Sequence, residues 1–240
     1  MRFLLLLTAL FVSIGASGAQ PIPLPAEHIN STMNMAQKKA REAAVKITTP
    51  LGGHGSGSYI VYKDAHLVLT AQHVTDGPLG SNYPILKDGE VRIATLIWAD
   101  PAADMALLYL SERFKNIQPI RWDPQPNIAS VGKMITYSGY PSTHKLMTFH
   151  GVVAGYGDNS EVGKQIILNT YGWFGCSGSV IYTLSGQIVG VLYGVDVEYS
   201  PSLQIQENMI WVAPIQRLKI EEALKPLCNG MPRGHLRACR

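Results

Sequence analysis

From Val45 onward the chain is a succession of short segments rich in β-branched and aromatic residues, each closed off by glycine, aspartate or proline. No other feature constrains the fold as tightly. Segments this short do not make helices that pack alone, and their Val, Ile, Tyr and Thr content suits half-buried strands. A first set covers 45–49, 58–62, 66–70, 83–87, 90–98 and 105–110. Residues 111–130 then carry few apolar side chains and three prolines, Pro119, Pro124 and Pro126. A second set follows at 133–139, 146–155, 165–169, 179–183, 188–193 and 209–212. Strands, a connector and strands again predict an all-β chain in two halves. No sequence repeat relates the halves.

The flanks read differently. Residues 31–44 are rich in Ala, Lys, Arg, Glu, Met and Gln, which predicts a short N-terminal helix with Ser31 as its possible N-cap. Pro214 opens a C-terminal helix over 214–225, with Ile215, Leu218, Ile220 and Leu224 near helical spacing. Ahead of all this, Arg2, an apolar run from Leu4 to Ile14 and the small residues Ser17-Gly18-Ala19 read as a secretory signal cut before Gln20. The run is too short to cross a bilayer at about 20 residues per span. The alternative is an uncleaved anchor. The expected organisation is a signal at 1–19, a spacer and helix at 20–44, a first β unit at 45–118, a connector at 119–130, a second β unit at 131–213, a helix at 214–225 and a basic tail at 226–240.

Charge excludes little but argues against nucleic acid. The chain carries +3, yet Lys225, Arg233, Arg237 and Arg240 crowd into the tail without an acid. The body before them is slightly acidic, so no domain-wide basic face is expected. There are three cysteines, Cys176, Cys228 and Cys239. In an oxidising compartment Cys228 and Cys239 could pair and staple the tail; the alternative is two free thiols. No His-Glu-x-x-His, Cys-x-x-Cys or phosphate loop occurs, so no metal, nucleotide or other cofactor is expected.

Three local patterns carry chemistry. Gly175-Cys176-Ser177-Gly178-Ser179 flanks a serine with glycines, which permits the sharp turn that exposes a nucleophile and lets a substrate approach backbone N–H groups. His73 ends the run Leu69-Thr70-Ala71-Gln72-His73-Val74. Asp104 leads directly into the apolar segment Met105-Ala106-Leu107-Leu108, where a carboxylate needs a partner and an imidazolium would serve. Each is weak alone. Their order, His then Asp then Ser, differs from the Ser–acid–His and Asp–His–Ser orders of two unrelated hydrolase folds.

These stretches resemble the trypsin-like, chymotrypsin-fold serine peptidases of bacterial and viral type. The resemblance rests on Gly55-Ser56-Gly57-Ser58 followed by Leu69-Thr70-Ala71-Gln72-His73-Val74, on Asp104-Met105-Ala106-Leu107-Leu108, on Val131-Gly132 through Gly139-Tyr140-Pro141, on Gly175 to Ser179, and on Gly190-Val191-Leu192-Tyr193-Gly194. It implies two six-stranded antiparallel barrels with the active site between them. It implies that Ser177 attacks a peptide carbonyl, His73 takes its proton and Asp104 orients the imidazole. The N–H groups of Gly175 and Ser177 would form the oxyanion hole. Leu192, Tyr193 and Gly194 would pair with an extended protein or peptide substrate. Secretion or a periplasmic location follows from the leader, with no stable membrane span once it is removed.

Two positions depart from the digestive members. Cys176 stands where they carry the aspartate that captures a new N-terminus, so the site would be preformed or gated by residues 20–44. Tyr171, six residues before Ser177, would lie at the base of the specificity pocket, which predicts a neutral pocket. Cys176 as nucleophile fits poorly, because the flanking glycines frame Ser177. Asp100 reads as a turn residue, His54 and His66 as solvated, His144 and His150 as hairpin residues, and Ser56 and Ser58 as part of a glycine-rich strand start. A peptidase fold without turnover, acting as a binding module, is the alternative function; an esterase-like hydrolase is a third.

Overall fold

The computed structural model describes residues 32–123, 129–159, 163–232 and 235–240. The expected leader, the spacer and the Ser31 cap lie outside them. Helix α1 (Met35–Ala43) is instead capped by Asn34, whose side chain accepts the Gln37 N–H at 2.9 Å while the Gln37 side chain accepts the Asn34 N–H at 2.7 Å. The cap belongs here because Gln37 at the third helical position completes the reciprocal pair. The helix runs straight into the first strand.

Six antiparallel strands form the first barrel: β1 (Ala44–Thr48), β2 (His54–Tyr62), β3 (Ala65–Thr70), β4 (Asn82–Lys87), β5 (Glu90–Asp100) and β6 (Met105–Leu110). They follow the order β1-β4-β5-β6-β3-β2, and β2 returns to β1 from Ala44↔Ser58 to Thr48↔His54. β2 begins four residues before the expected strand because Gly55, Ser56 and Gly57 are small enough to run in close contact. A Cβ on Gly57 would lie 2.9 Å from Val68. The connector contains β7 (Ile120–Arg121), which pairs parallel to Ile60 and Val61.

The second barrel comprises β8 (Met134–Gly139), β9 (Met147–Asn159), β10 (Gly163–Asn169), β11 (Val180–Thr183), β12 (Ile188–Tyr199) and β13 (Leu203–Pro214), closed in the order β10-β13-β12-β11-β8-β9. The two expected barrels are thus present. The β12–β13 hairpin is much longer than the sequence pattern suggests. Its outer half carries Asp196, Glu198, Gln204, Gln206 and Glu207, and it leaves Tyr199 and Leu203 exposed, so no buried-strand signature marks it. The expected C-terminal helix is broken into a 3-10 turn at Ile215–Arg217, α2 (Ile220–Ala223) and α3 (Lys225–Gly230). Pro226 explains the second break, since it has no N–H for the Glu222 carbonyl one turn back.

Each barrel has its own apolar interior, with Ile47, Tyr59, Leu67, Leu69 and Leu107 fully buried in one and Ile135, Tyr137, Ile166 and Val212 in the other. Val180, Tyr182 and Val191 of the second barrel pack into the first barrel's cluster. Ser58 Oγ and Tyr182 Oη meet at 2.7 Å in this seam, which satisfies two otherwise costly buried hydroxyls. Helix α1 ties the barrels together. Arg41 donates to Thr148 Oγ1 at 2.9 Å and to the Leu146 carbonyl at 3.2 Å, and the buried Lys87 ammonium donates to the Arg41 carbonyl at 2.8 Å. Cys228 and Cys239 form a disulfide, and the stapled tail docks on Asp64, whose carboxylate accepts the N–H groups of Arg237 and Ala238. Among the described residues no helix is long and apolar enough to cross a membrane.

Candidate active site

His73 sits in a 3-10 turn, Gln72–Val74, immediately after β3. Thr70, the last residue of β3, lies opposite Ala106 of β6, so the two strands bring the His73 turn beside Asp104. Asp104 closes the turn before β6 with φ 45°, a left-handed conformation that aspartate tolerates better than most residues. Its carboxylate faces His73 squarely. Oδ2 lies 2.8 Å from His73 Nδ1, and Oδ1 accepts the His73 backbone N–H at 3.0 Å. The carboxylate side chain is 13% exposed and the imidazole 44%, so the pair is sheltered on the acid side and open on the other. Asp100 is a turn residue, as expected: its Oδ1 accepts the Ala102 N–H.

Ser177 lies in the loop between β10 and β11. This loop is fastened to both barrels. Its carbonyl accepts the Ser56 N–H at 2.7 Å, while the Gly178 N–H donates to Leu192 and the Leu192 N–H donates to Ser179. Gly178 has φ +87°, and a Cβ there would fall 2.1 Å from the Ser56 carbonyl and 3.1 Å from the Ala71 nitrogen. Ser177 is therefore held alongside the segment leading into His73. Its hydroxyl makes no hydrogen bond among the described residues; such contacts commonly tighten only with substrate bound.

The loop's backbone is organised around two unengaged donors. The carbonyls of Phe174, Gly175, Cys176 and Ser177 accept, respectively, from Ser142 N–H at 2.7 Å, Ser56 Oγ at 2.7 Å, Ser179 N–H at 2.9 Å and Ser56 N–H at 2.7 Å. The Cys176 N–H donates to Trp173. That leaves the Gly175 and Ser177 N–H groups without an acceptor among the described residues. Gly175 adopts φ +91°, and a Cβ there would lie 2.4 Å from the Tyr140 carbonyl. Only glycine fits this turn.

The other expected site residues divide. Tyr193 sits in a bulge of β12 with no residue opposite it on β13, while Gly194 pairs with Trp211. Among the described residues no strand pairs with the β11-side edge of β12 beyond Val191. Leu192 is placed differently from expectation. Its N–H and carbonyl are both engaged with the Ser177 loop and its side chain is buried, so it anchors that loop and offers a substrate nothing. The Tyr193 hydroxyl donates to Gln165, and burial pushes its pKa above the ordinary tyrosine value, with Asp104 adding to the rise. Tyr171 gives its carbonyl to the Tyr137 hydroxyl and tilts its ring against Phe149 at 5.3 Å.

Cys176 is buried in the second barrel's core, 3.9 Å from the Tyr137 hydroxyl, and burial pushes its thiol pKa up. A protonated, enclosed thiol is not a nucleophile. The histidines expected to be solvated are bonded instead: His54 Nε2 lies 2.8 Å from the Tyr140 carbonyl, and His66 Nδ1 lies 2.5 Å from the Tyr59 hydroxyl. Ser56 is the residue that sequence reasoning passed over. The only trace it leaves there is a serine between two glycines.

Known proteins share the fold that carries this arrangement. Residues 55–191 match the model of the trypsin-like peptidase domain. Among solved structures, the active form of the Rv3671c protease from M. tuberculosis is similar, with a TM-score of 0.61, 18% identity, and coverage of 90% of this chain and 93% of that one. The HtrA-type protease AlgW, crystallised with a tripeptide, gives a TM-score of 0.65 at 21% identity over 79% of this chain, which spans 62% of AlgW. The serine endoprotease of Yersinia pestis gives 0.59 at 17% identity, covering 76% of this chain and 62% of that one. No curated protein matches in sequence. At these identities the solved structures speak for the fold, and the family match extends over more than half of the chain, through both the His73 turn and the Ser177 loop: the chain belongs to the trypsin-like serine peptidases.

Proposed function

We propose that this protein is a secreted or periplasmic endopeptidase that hydrolyses peptide bonds through Ser177, His73 and Asp104. The observation that carries the proposal is the loop in which every carbonyl from Phe174 to Ser177 is bonded while the Gly175 and Ser177 N–H groups have no acceptor among the described residues. Two donors two residues apart and without a partner suit an oxyanion that exists only during reaction. Ser177 Oγ attacks the scissile carbonyl carbon and its proton passes to His73 Nε2. The oxyanion accepts from the two N–H groups. The C–N bond then breaks, with the proton moving from His73 to the leaving amine, and water repeats the sequence on the acyl-enzyme. Asp104 keeps the Nδ1 proton facing itself and steadies the imidazolium. The extended substrate adds to the open edge of β12 at Tyr193 and Gly194. The neutral Tyr171 gives no reason to expect preference for a basic residue. The disulfide supports an oxidising compartment.

Labelling with a fluorophosphonate tests the assignment. The wild type and Cys176→Ala should be labelled and Ser177→Ala should not. A labelled Ser177→Ala variant refutes the nucleophile; an unlabelled, folded wild type favours a peptide-docking module without turnover.

A further inference from the structure

Ser56 belongs to the first barrel, in β2, and is completely buried. It nevertheless makes two of the four hydrogen bonds accepted by the carbonyls from Phe174 to Ser177. Its N–H holds the Ser177 carbonyl, and its hydroxyl holds the Gly175 carbonyl at 2.7 Å. The hydroxyl is itself aimed: Oγ accepts the Tyr140 N–H at 2.9 Å, which leaves its single proton to point at Gly175. The Ser56 carbonyl is occupied by Thr70 Oγ1 at 2.7 Å, so the residue cannot swing away along the strand.

The geometry of a trans peptide gives this bond its consequence. Carbonyl and N–H of one peptide point in opposite directions. The Phe174–Gly175 peptide is pinned by Ser142 and the Cys176–Ser177 peptide by Ser179, which sets the two outward N–H groups. Between them lies the Gly175–Cys176 peptide, and the Ser56 hydroxyl pins its carbonyl. Gly175 has no side chain to resist rotation. Without the hydroxyl this middle peptide is held only through the Cys176 N–H on the Trp173 carbonyl, and the angle between the two flanking N–H groups is set less firmly.

We infer that Ser56 is a positioning residue for the oxyanion hole: its side chain, delivered from the opposite barrel, fixes the peptide that joins the two donors. This rests on the proposal that Gly175 and Ser177 form that hole. It assigns the first barrel a part in transition-state stabilisation beyond carrying His73 and Asp104.

The test compares Ser56→Ala with Ser58→Ala. Ser58 lies two residues along the same strand and loses a comparable buried bond, to Tyr182, away from the site. Both variants should melt below the wild type. Fluorophosphonate labelling of Ser177 forms an Oγ–P bond and expels fluoride, and the phosphonyl oxygen occupies the hole, so kinact reports the hole while KI reports docking. Direct loss of an oxyanion donor costs about 10²–10³-fold. Misalignment should therefore lower kinact of Ser56→Ala by about 10–100-fold with KI nearly unchanged, and Ser58→Ala should keep kinact within about threefold. Ser56→Cys, nearly isosteric but a weak donor, should fall between; it decides the matter if Ser56→Ala does not fold. The inference is overturned if folded Ser56→Ala or Ser56→Cys keeps wild-type kinact, or if Ser58→Ala loses as much. Failure of the underlying assignment appears separately, as labelling that survives Ser177→Ala.

Discussion

Replacing Asp104 by asparagine changes one oxygen into an NH2 group, and the structure dictates which one. The carboxylate receives two donors from one residue, the His73 backbone N–H on Oδ1 and the ring Nδ1 on Oδ2. The backbone N–H cannot turn away, because the turn around it is closed by the Val74 and Thr75 N–H groups on Ala71 and Gln72. Asparagine must therefore give its oxygen to that N–H and present its NH2 to Nδ1. The ring nitrogen then has to accept, the imidazole proton moves to Nε2, and His73 can no longer take the Ser177 proton. Little water reaches the acid to relieve the mismatch. In a Ser–His–Asp triad, as proposed for this site, the wrong tautomer lowers kcat by about 10⁴-fold, equivalent to about 5 kcal/mol of barrier. The assay is kcat on a peptide substrate near pH 7.5, normalised to folded protein, with ¹⁵N spectra reporting which ring nitrogen holds the proton. If Asp104→Asn retains more than about a tenth of wild-type kcat, or keeps its proton on Nδ1, the reasoning fails.

Two further outcomes follow from the same structure. Gly178→Ala places a methyl 2.1 Å from both the Ser56 carbonyl and Thr70 Oγ1 at φ +87°; left-handed strain and overpacking together should cost about 2–5 kcal/mol in urea unfolding and abolish labelling of Ser177, and a wild-type midpoint would contradict this. Burial lowers the Lys87 pKa from 10.5 to about 8, with Asp88 opposing and Arg41 assisting. Above pH 8 the unfolded chain holds the Lys87 proton that the folded chain has released, so this residue makes stability rise with pH. Relative to Lys87→Met, the wild type should gain about 2 kcal/mol between pH 8 and 9.5, and parallel stability curves for the two proteins would refute the shift.

The sequence displayed what local chemistry writes into it. Short β-branched segments marked every barrel strand and some of them residue for residue, as at Met105–Leu110, because burial on a pleated surface selects those side chains. His73, Asp104 and Ser177 stood out because their neighbours are unusual for their chemistry. What stayed hidden depends on distant partners or on backbone groups. Ser56 is an ordinary strand serine until Gly175 and Tyr140 arrive from more than eighty residues away. Leu192 looked like a substrate strand residue, yet its backbone is occupied by Gly178 and Ser179. The arm Asp196–Glu207 alternates Val197, Tyr199, Leu203 and Ile205 with acidic and amide side chains, but even its apolar face is largely exposed, so it carries no burial signal. The helix cap was legible in principle, since Asn34 and Gln37 have capping-box spacing, but Ser31 began a longer stretch of helix formers.

Helix α1 also bears on the order in which the molecule can be assembled. It is joined without a break to β1, yet Arg41 waits for Thr148, 107 residues downstream, and the Asn34 side chain donates to the Leu184 carbonyl, 150 residues downstream. Closing such loops costs entropy that local contacts do not repay, so these bonds form late. During synthesis the first barrel's strands are complete well before β8, β9 and β11 exist. Through that interval the helix has only its first-barrel contacts, at Ala40 and at the Arg41 carbonyl, to settle on. The helix, made before either barrel, thus completes its docking among the last, and a chain that stops at the connector leaves its second-barrel face exposed. Docking of α1 reports that both barrels are in place, which makes its protection from hydrogen exchange a natural clock for completion of the fold.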